Sequence, residues 1–468
     1  MKLNYRYKLR PTKEQNATMI EWLNLCRRQY NYRLAQRFQW WEATRTPVNS
    51  CPLNVAVIPV ERIYQDIPEF RIQVRDGRKI GEDGLPATKK GDKHPNIVGG
   101  YIQWQTVQLG DLKNTKKLVP EYKKIHSQVL QDVINRVETA FSNFINPDKN
   151  GNRAGRPKFK ELHYYKSLTY SQLRSKHLSD NHVELSGIGR VEIVQHRPIP
   201  TGFIVKLGTI KLEADGCYLS LVLEDKTVPV KEDEAICPTA ENSCAIDVGL
   251  ERFLTCDDGS YVEIPQFLRK ASLRLARLQR AKSKFPKGHK DKQKLHKAIA
   301  KLHQKIVRQR QDFHFVTAYW LFLKADVVFI EDLKLKNLIR RNKPKSALKD
   351  TASHNGKGNF LPNNQAQSSG MNKSWLDAGH SQFFKVLEWV AWKLGKRVIK
   401  VNPWGTSQYC HACLNKVPKS LSDRWHSCPC GVELNRDENS GKLIKLLGLG
   451  LASIQTAPLR ERSQRSIA

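Results

Sequence analysis

The chain has 468 residues, with 79 Lys and Arg against 45 Asp and Glu, so its formal net charge is +34. Apolar residues make up 40% and charged residues 26%, which suits two or three domains with real cores and excludes a chain disordered throughout. So much positive charge repels itself unless a polyanion neutralises it, which points to nucleic acid rather than to a membrane: no run approaches the roughly 18 apolar residues of a spanning helix.

The start, Met1-Lys2-Leu3-Asn4-Tyr5-Arg6, is not followed by the apolar segment of a signal peptide, so the expected setting is the cytoplasm, where thiols stay reduced. Residues 2–9 alternate, with Leu3, Tyr5, Tyr7 and Leu9 on one face of a predicted strand. Thr12 and Gln15 form a capping-box pair, and Met19, Trp22, Cys26 and Tyr30 follow at helical spacing. The aromatics Tyr30, Tyr32, Trp40 and Trp41 are candidates for base stacking or, more simply, for core packing. Pro, Gly and charge alternate through 46–120 and predict loops around short elements. Ile125, Val129, Val133, Val137 and Phe141 restore helical spacing. From about 180 to 225 the pattern is strands, with Asp215-Gly216 as a hairpin turn, and 226–240 reads as a linker.

Beyond the linker the pattern becomes α/β. Cys244-Ala245-Ile246-Asp247-Val248 is an apolar strand interrupted by one carboxylate, and a hairpin follows through Asp257-Asp258-Gly259. A basic helical pair is predicted over about 266–324, turning near Phe285-Pro286-Lys287-Gly288. Asp326-Val327-Val328-Phe329-Ile330-Glu331 is a buried strand ending in a carboxylate. Residues 341–374 read as loop or lid, Trp375–Leu394 as a helix and 397–401 as a strand.

Ten cysteines in a reducing setting are not a disulfide framework. Cys410, Cys413, Cys428 and Cys430 crowd into 21 residues as a CxxC and a tighter CxC pair, the way ribbons and knuckles present four thiolates to tetrahedral zinc. With four thiolates the coordination is complete, so the role is structural; His411 and His426 are the alternative ligands. Cys26, Cys51, Cys217, Cys237, Cys244 and Cys256 are expected to be buried free thiols.

Metal-dependent phosphodiester hydrolysis needs carboxylates that converge from separate elements. RNase H-like folds place one in the middle of the first strand, one at the end of the fourth and one on a late helix. Asp247, Glu331 and Asp437 occur in that order. Each alone is weak, because a strand-end acid is usually a surface residue and Asp437 alone would be a helix cap. Asp332 is expected to cap the next segment, and Asp257 and Asp258 to be turn residues.

At these residues the chain resembles TnpB, the RNA-guided nuclease family of insertion sequences, related to type V CRISPR effectors. The resemblance rests on Ala245-Ile246-Asp247-Val248-Gly249, Phe329-Ile330-Glu331-Asp332-Leu333 and Asn435-Arg436-Asp437-Glu438-Asn439-Ser440. Around them stand Lys8-Leu9-Arg10-Pro11-Thr12-Lys13-Glu14-Gln15, Gly155-Arg156-Pro157-Lys158-Phe159-Lys160, Arg310-Gln311-Asp312-Phe313-His314 and Thr406-Ser407-Gln408-Tyr409-Cys410. Asn435, Ser440 and the CxC spacing depart from the common family pattern.

The resemblance implies a mixed α/β multidomain fold. A small β-barrel wedge domain (1–12 and 160–230) would carry an inserted helical recognition domain (13–159). An RNase H-like RuvC nuclease domain (241–405 and 431–455) would carry a zinc-binding insertion (406–430), followed by a basic tail (456–468). It implies Mg²⁺ or Mn²⁺ on Asp247, Glu331 and Asp437, one structural Zn²⁺, a guide RNA, a double-stranded DNA target beside a short flanking motif, and a monomer working in the prokaryotic cytoplasm and nucleoid. A type V CRISPR effector with the same chemistry and a non-catalytic RNA-guided DNA-binding protein are the alternatives. Independently, residues 268–310 hold 16 Lys and Arg and one acid, Asp291. Arg269, Arg274, Arg277, Lys282, Lys297, Lys301 and Arg308 are therefore the expected phosphate contacts, opposite a packed face of Leu275, Leu278, Ile299, Leu302 and Ile306.

Overall fold

The structure, a computed structural model, describes residues 1–43, 97–98, 101–102, 104–162, 164–179, 181–227, 236–343, 345–346, 360–361, 363–420 and 423–454. Cys51, the tail at 456–468, most of the stretch 46–120 before residue 104, parts of the 226–240 linker and of 341–374, and the side chain of Trp40 lie outside the described residues. Two compact units divide the chain, Met1–Val230 and Lys231–Ala468. No helix among the described residues is long and apolar enough to cross a membrane.

In the first unit, strand β1 (Lys2–Arg10) leads into helix α1 (Lys13–Ala43). The expected capping box is formed: the Thr12 amide donates to Gln15 Oε1 at 3.0 Å and the Gln15 amide to Thr12 Oγ1 at 3.2 Å. Met19, Trp22, Cys26 and Tyr30 are buried, as their spacing requires. Trp41 packs against the core beside Phe144, so Tyr30 and Trp41 serve packing. Short helices α2 (Trp104–Gly110) and α3 (Leu112–Leu118) precede α4 (Ser127–Ile145), which buries Val129, Val133, Val137 and Phe141 on one stripe and packs against α1. Burying each such side chain contributes about 1.5–3 kcal/mol. Fully buried Arg33 of α1 pairs with Asp111 at 2.6 Å and donates to Thr115, which satisfies a charge that would otherwise be costly to bury.

Six further strands join β1: β2 (Ser167–Tyr170), β3 (Leu178–Ser179), β4 (His182–Leu185), β5 (Gly189–Val194), β6 (Ile204–Glu213) and β7 (Gly216–Glu224). They form one antiparallel sheet in the order β2-β6-β7-β1-β5-β4-β3. The N-terminal strand therefore sits at its centre, between β7 and β5. The β6–β7 hairpin closes with Glu213 opposite Gly216, where the turn was expected.

The second unit is built on a five-stranded sheet. Its strands are β8 (Ser243–Val248), β9 (Arg252–Cys256), β10 (Tyr261–Glu263), β11 (Val327–Glu331) and β12 (Arg397–Val401), in the order β10-β9-β8-β11-β12. The hairpin strands are antiparallel, whereas β8, β11 and β12 run parallel and need long crossovers. Helices α5 (Phe267–Ser283) and α6 (Lys290–Lys324) supply the first crossover, and α7 (Gln365–Ala378) and α8 (His380–Leu394) belong to the second. Helix α9 (Arg436–Gly448) packs against β8, β9, β11 and β12. At Gly448 any Cβ would lie 2.2 Å from the Phe329 ring, so only glycine allows this approach of helix and sheet.

Three expectations change. The helix expected over Trp375–Leu394 begins at Gln365 and breaks at Gly379, whose φ of +71° ends α7 and starts α8. The polar composition of 363–374 hid a helix whose buried residues, Asp377 and Ala378, lie only at its end. Cys237 is exposed, while Cys26, Cys217, Cys244 and Cys256 are buried. Asp332 is exposed and does not cap the following turn, whose N-cap is Lys334 with no side-chain bond. In the stretch Arg310-Gln311-Asp312-Phe313-His314, Arg310 pairs with buried Asp377 at 3.3 Å and His314 stacks on Phe253, whereas Gln311 and Asp312 are exposed. Asp377 also accepts the first amides of α5, from Leu268 and Arg269.

Candidate functional site

Strand periodicity explains why one acid interrupts an apolar run. Successive side chains of β8 point to opposite faces. Cys244, Ile246 and Val248 join the core on the α6 and α8 side, whereas Ala245 packs with Ile444 of α9. Asp247 shares the face of Ala245 and looks toward α9. The same alternation on β11 puts Val327 and Phe329 on the α9 side, and Glu331 with them. The last registered pair of these parallel strands is Ile246 with Ile330, so Asp247 and Glu331 are the next two residues, side by side at the strand ends.

Asp437 lies in the first turn of α9, over that face. Asn435 caps the helix, its Oδ1 accepting from the Asp437 amide at 2.9 Å, a bond that contributes about 1 kcal/mol. The structure thus brings all three acids together. Burial, and after it the carboxylates of Glu331 and Asp437, hold the Asp247 carboxyl well above the usual carboxylate range; Arg436 and a hydrogen bond with Ser440 act in the opposite direction. Burial also raises Glu331, against a hydrogen bond donated by Thr406 Oγ1. A buried carboxyl whose charge is disfavoured by burial and by two neighbouring carboxylates is, together with those neighbours, a donor set that a divalent cation would relieve. Asp257 instead accepts from the Ala245 amide and Lys445, and Asp258 from Ser260 and Lys324, so both belong to the turn.

The second cluster is sulfur. Cys410, Cys413, Cys428 and Cys430 place their sulfurs within 4.8 Å of one another. Cys410 and Cys430 are 3.7 Å apart, and Cys413 and Cys428 3.5 Å. A tetrahedral metal with bonds of about 2.3 Å to sulfur sets its ligands ~3.8 Å apart, so the cluster could hold a zinc ion. The CxC pair is followed by β14 (Glu433–Asn435), which pairs with β13 (Trp425–Ser427) and leads directly into α9. His411 and His426 do not join the sulfurs: the ring of His411 bonds Asn439, and buried His426 contacts Lys419.

Of the seven basic residues, Arg269, Arg274, Arg277, Lys297 and Lys301 are exposed along α5 and α6. Lys282 and Arg308 are half-buried, and Arg308 is not a free cation. Only Leu275 and Ile306 of the expected apolar face are fully buried. Residues that sequence reasoning did not single out are Thr406, Arg436, Asn439 and Ser440. All four lie inside stretches that carried the family resemblance, which was the available signal.

Three family models match parts of the chain: "Probable transposase" over residues 227–342, "Cas12f1-like, TNB domain" over 380–444, and "Helix-turn-helix domain" over 1–46. Within 1–43 the structure has a strand and one 31-residue helix rather than two helices. The chain is 24% identical over 372 residues to "Putative RNA-guided DNA endonuclease" of Streptomyces pristinaespiralis, covering 78% of this chain and 82% of that protein. It is 29% identical over 325 residues to "Putative RNA-guided DNA endonuclease InsQ" of Escherichia coli K12, covering 69% and 74%. "TnpB-like protein L79" of Acanthamoeba polyphaga mimivirus is 24% identical over 45% of this chain and 38% of its own length. A solved Cas12f1–sgRNA–target DNA complex aligns with 95% of this chain and 99% of its own at 13% identity, with a TM-score of 0.29. Parts of the chain thus match the transposase and TNB models, and over most of both chains it is similar to proteins named as putative RNA-guided DNA endonucleases.

Proposed function

We propose that this protein is an RNA-guided DNA endonuclease of a transposable element, cutting target DNA beside a short flanking motif by metal-dependent hydrolysis. The observation that carries this is the convergence of Asp247, Glu331 and Asp437 from two adjacent strands and the covering helix. In this reading Lys231–Ala468 contains the RuvC nuclease domain (241–405 and 431–455), interrupted by the zinc-binding insertion at 406–430. The sheet order, with a three-stranded hairpin series followed by parallel strands, supports that assignment. The antiparallel sheet around β1 supports a wedge domain from 1–12 and 160–230, with a recognition domain at 13–159. The working complex is one protein chain with its guide RNA, in the prokaryotic cytoplasm and nucleoid.

Asp247, Glu331 and Asp437 would hold Mg²⁺ or Mn²⁺, which when bound supplies Lewis-acid activation of water and stabilises the leaving oxygen. The chain's own residues prepare the place. Thr406 orients Glu331, Asn435 fixes the helix start beneath Asp437, and Ser440 steadies Asp247. Sequence reading is left to base pairing, and the protein supplies backbone contacts and recognition of the flanking motif. Sequencing RNA that copurifies with the protein, and then offering DNA matched to it, tests the reading. A discrete RNA species and cleavage only of matched DNA are expected; guide-independent cleavage would refute it.

The basic helices α5 and α6 are proposed to run along phosphates. Arg274→Glu, Lys297→Glu and Lys301→Glu together should weaken nucleic-acid binding. They should also flatten the plot of log affinity against log salt by roughly 0.9 for each phosphate of duplex DNA that the variant no longer neutralises. Arg308 is left in place because it is half-buried. Binding titrations across a salt series decide the matter: equal slopes for wild type and triple variant would show this face to be merely solvated.

A further inference from the structure

The zinc-binding insertion and the helix that carries Asp437 are joined by one buried side chain. Asn439 is fully buried, two residues after Asp437. Its Oδ1 accepts from the His411 amide at 3.1 Å and lies 3.0 Å from His411 Nδ1. Its Nδ2 donates to the Tyr409 carbonyl at 2.8 Å. Tyr409 and His411 flank Cys410, so one amide grips the first cysteine turn on both sides of a ligand. A second link runs through Arg436, at the start of the helix. Arg436 Nη1 donates to the Asp423 carbonyl at 3.0 Å and its Nε to Asp437 Oδ1 at 3.3 Å, while the Arg436 amide donates to the Arg424 carbonyl at 2.9 Å. Next to Asn439, Ser440 reaches Asp247. The start of α9 thus touches the cysteine turns, Asp437 and Asp247 together.

We infer that Asn439 is a positioning residue that makes the placement of Asp437 depend on the folded cysteine cluster, so that loss of zinc is felt at the nuclease acids. The start of α9 is already packed on the sheet, with Asn439, Ser440 and Gly441 buried and Gly441 close to the backbone of Cys256 and Asp257, but that packing does not tie it to the cysteine turns. The sheet fixes the other end through Gly448 against Phe329. At the start, the hydrogen bonds of the buried Asn439 amide, with those of Arg436, tie the helix to the insertion. Leaving a buried amide or its backbone partners unpaired is costly, which makes the grip a two-state one rather than a graded contact. The inference rests on the nuclease reading only for its effect on cleavage; the coupling itself does not.

Peptide-level hydrogen exchange on the full chain with its copurified RNA tests it. In wild type, removing zinc with a chelator should raise exchange in peptides covering 436–444 together with those covering 409–413, while β8 and β11 stay protected. Asn439→Leu, which keeps the volume and loses both partners, should retain zinc and target binding. Exchange at 436–444 should then no longer respond to zinc, and cleavage should fall roughly 10–100-fold, as for other residues that orient metal ligands. Asn439→Asp, which keeps the acceptor, should recover part of the zinc response. If exchange at 436–444 in wild type is indifferent to zinc, or Asn439→Leu cuts at the wild-type rate, the inference is overturned. Should Asn439→Leu fail to fold, the wild-type zinc comparison alone decides. Coupled exchange in a protein that cuts no DNA would sink the nuclease reading and leave the coupling standing.

Discussion

Replacing any one of Asp247, Glu331 or Asp437 by alanine is expected to reduce DNA cleavage to background while guide and target binding stay close to wild type. The three carboxylates meet at the ends of β8 and β11 beneath the first turn of α9, and none of them belongs to the basic run of 268–310. On the proposed reading, loss of one acid would dismantle a shared cation site without touching the phosphate contacts proposed elsewhere. A stability measurement separates this from a structural role. Burial and neighbouring carboxylates already disfavour the charged form of Asp247, so Asp247→Ala should leave the melting temperature of the metal-free protein unchanged or raise it. A buried acid kept for structural pairing would show a marked drop. Near wild-type cleavage by any one variant in Mg²⁺ would remove that residue from the site.

The other large effect is expected at the sulfurs. One zinc per chain should be found by elemental analysis, and Cys413→Ser should lower the stability of the Lys231–Ala468 unit and its zinc content together. Structural zinc binding is folding free energy, with apparent values of about 10–16 kcal/mol for small zinc-finger peptides, so much of the local order at 406–435 depends on it. Thiolates bind the metal and thiols do not, so affinity should weaken as pH falls and protons compete for the four sulfurs. Active, carefully purified protein without zinc would overturn this assignment.

Much of the second unit was legible because strands and cysteine turns leave local marks. Cys244–Val248 and Val327–Glu331 are apolar runs broken once by an acid, and period-two alternation puts Asp247 on the face of Ala245 and Glu331 on that of Phe329, while the parallel register makes these one face. Two cysteine pairs 14 residues apart announce a candidate metal site at any distance from the rest of the fold. The helix at Gln365–Ala378 was not legible, since its residues are polar and its boundary is set by the left-handed backbone of Gly379. Exposure of Cys237 and partial burial of Lys282 and Arg308 depend on which neighbours arrive, and composition does not record neighbours.

By itself, the amino-acid sequence determined the charge, the order of most elements, the four candidate sulfur ligands and the three candidate acids, because each is written in residue type and short-range spacing. Only the tertiary structure decided that β1 lies at the centre of a sheet whose other strands come more than 150 residues later. It alone brought Thr406, Arg436, Asn439 and Ser440 to the acids and the cysteine turns. Those relations come from parallel register, from helix α9 closing over the sheet, and from hydrogen bonds between residues distant in the chain. No local pattern specifies them, since they exist only once the backbone has folded and buried polar groups have had to find partners.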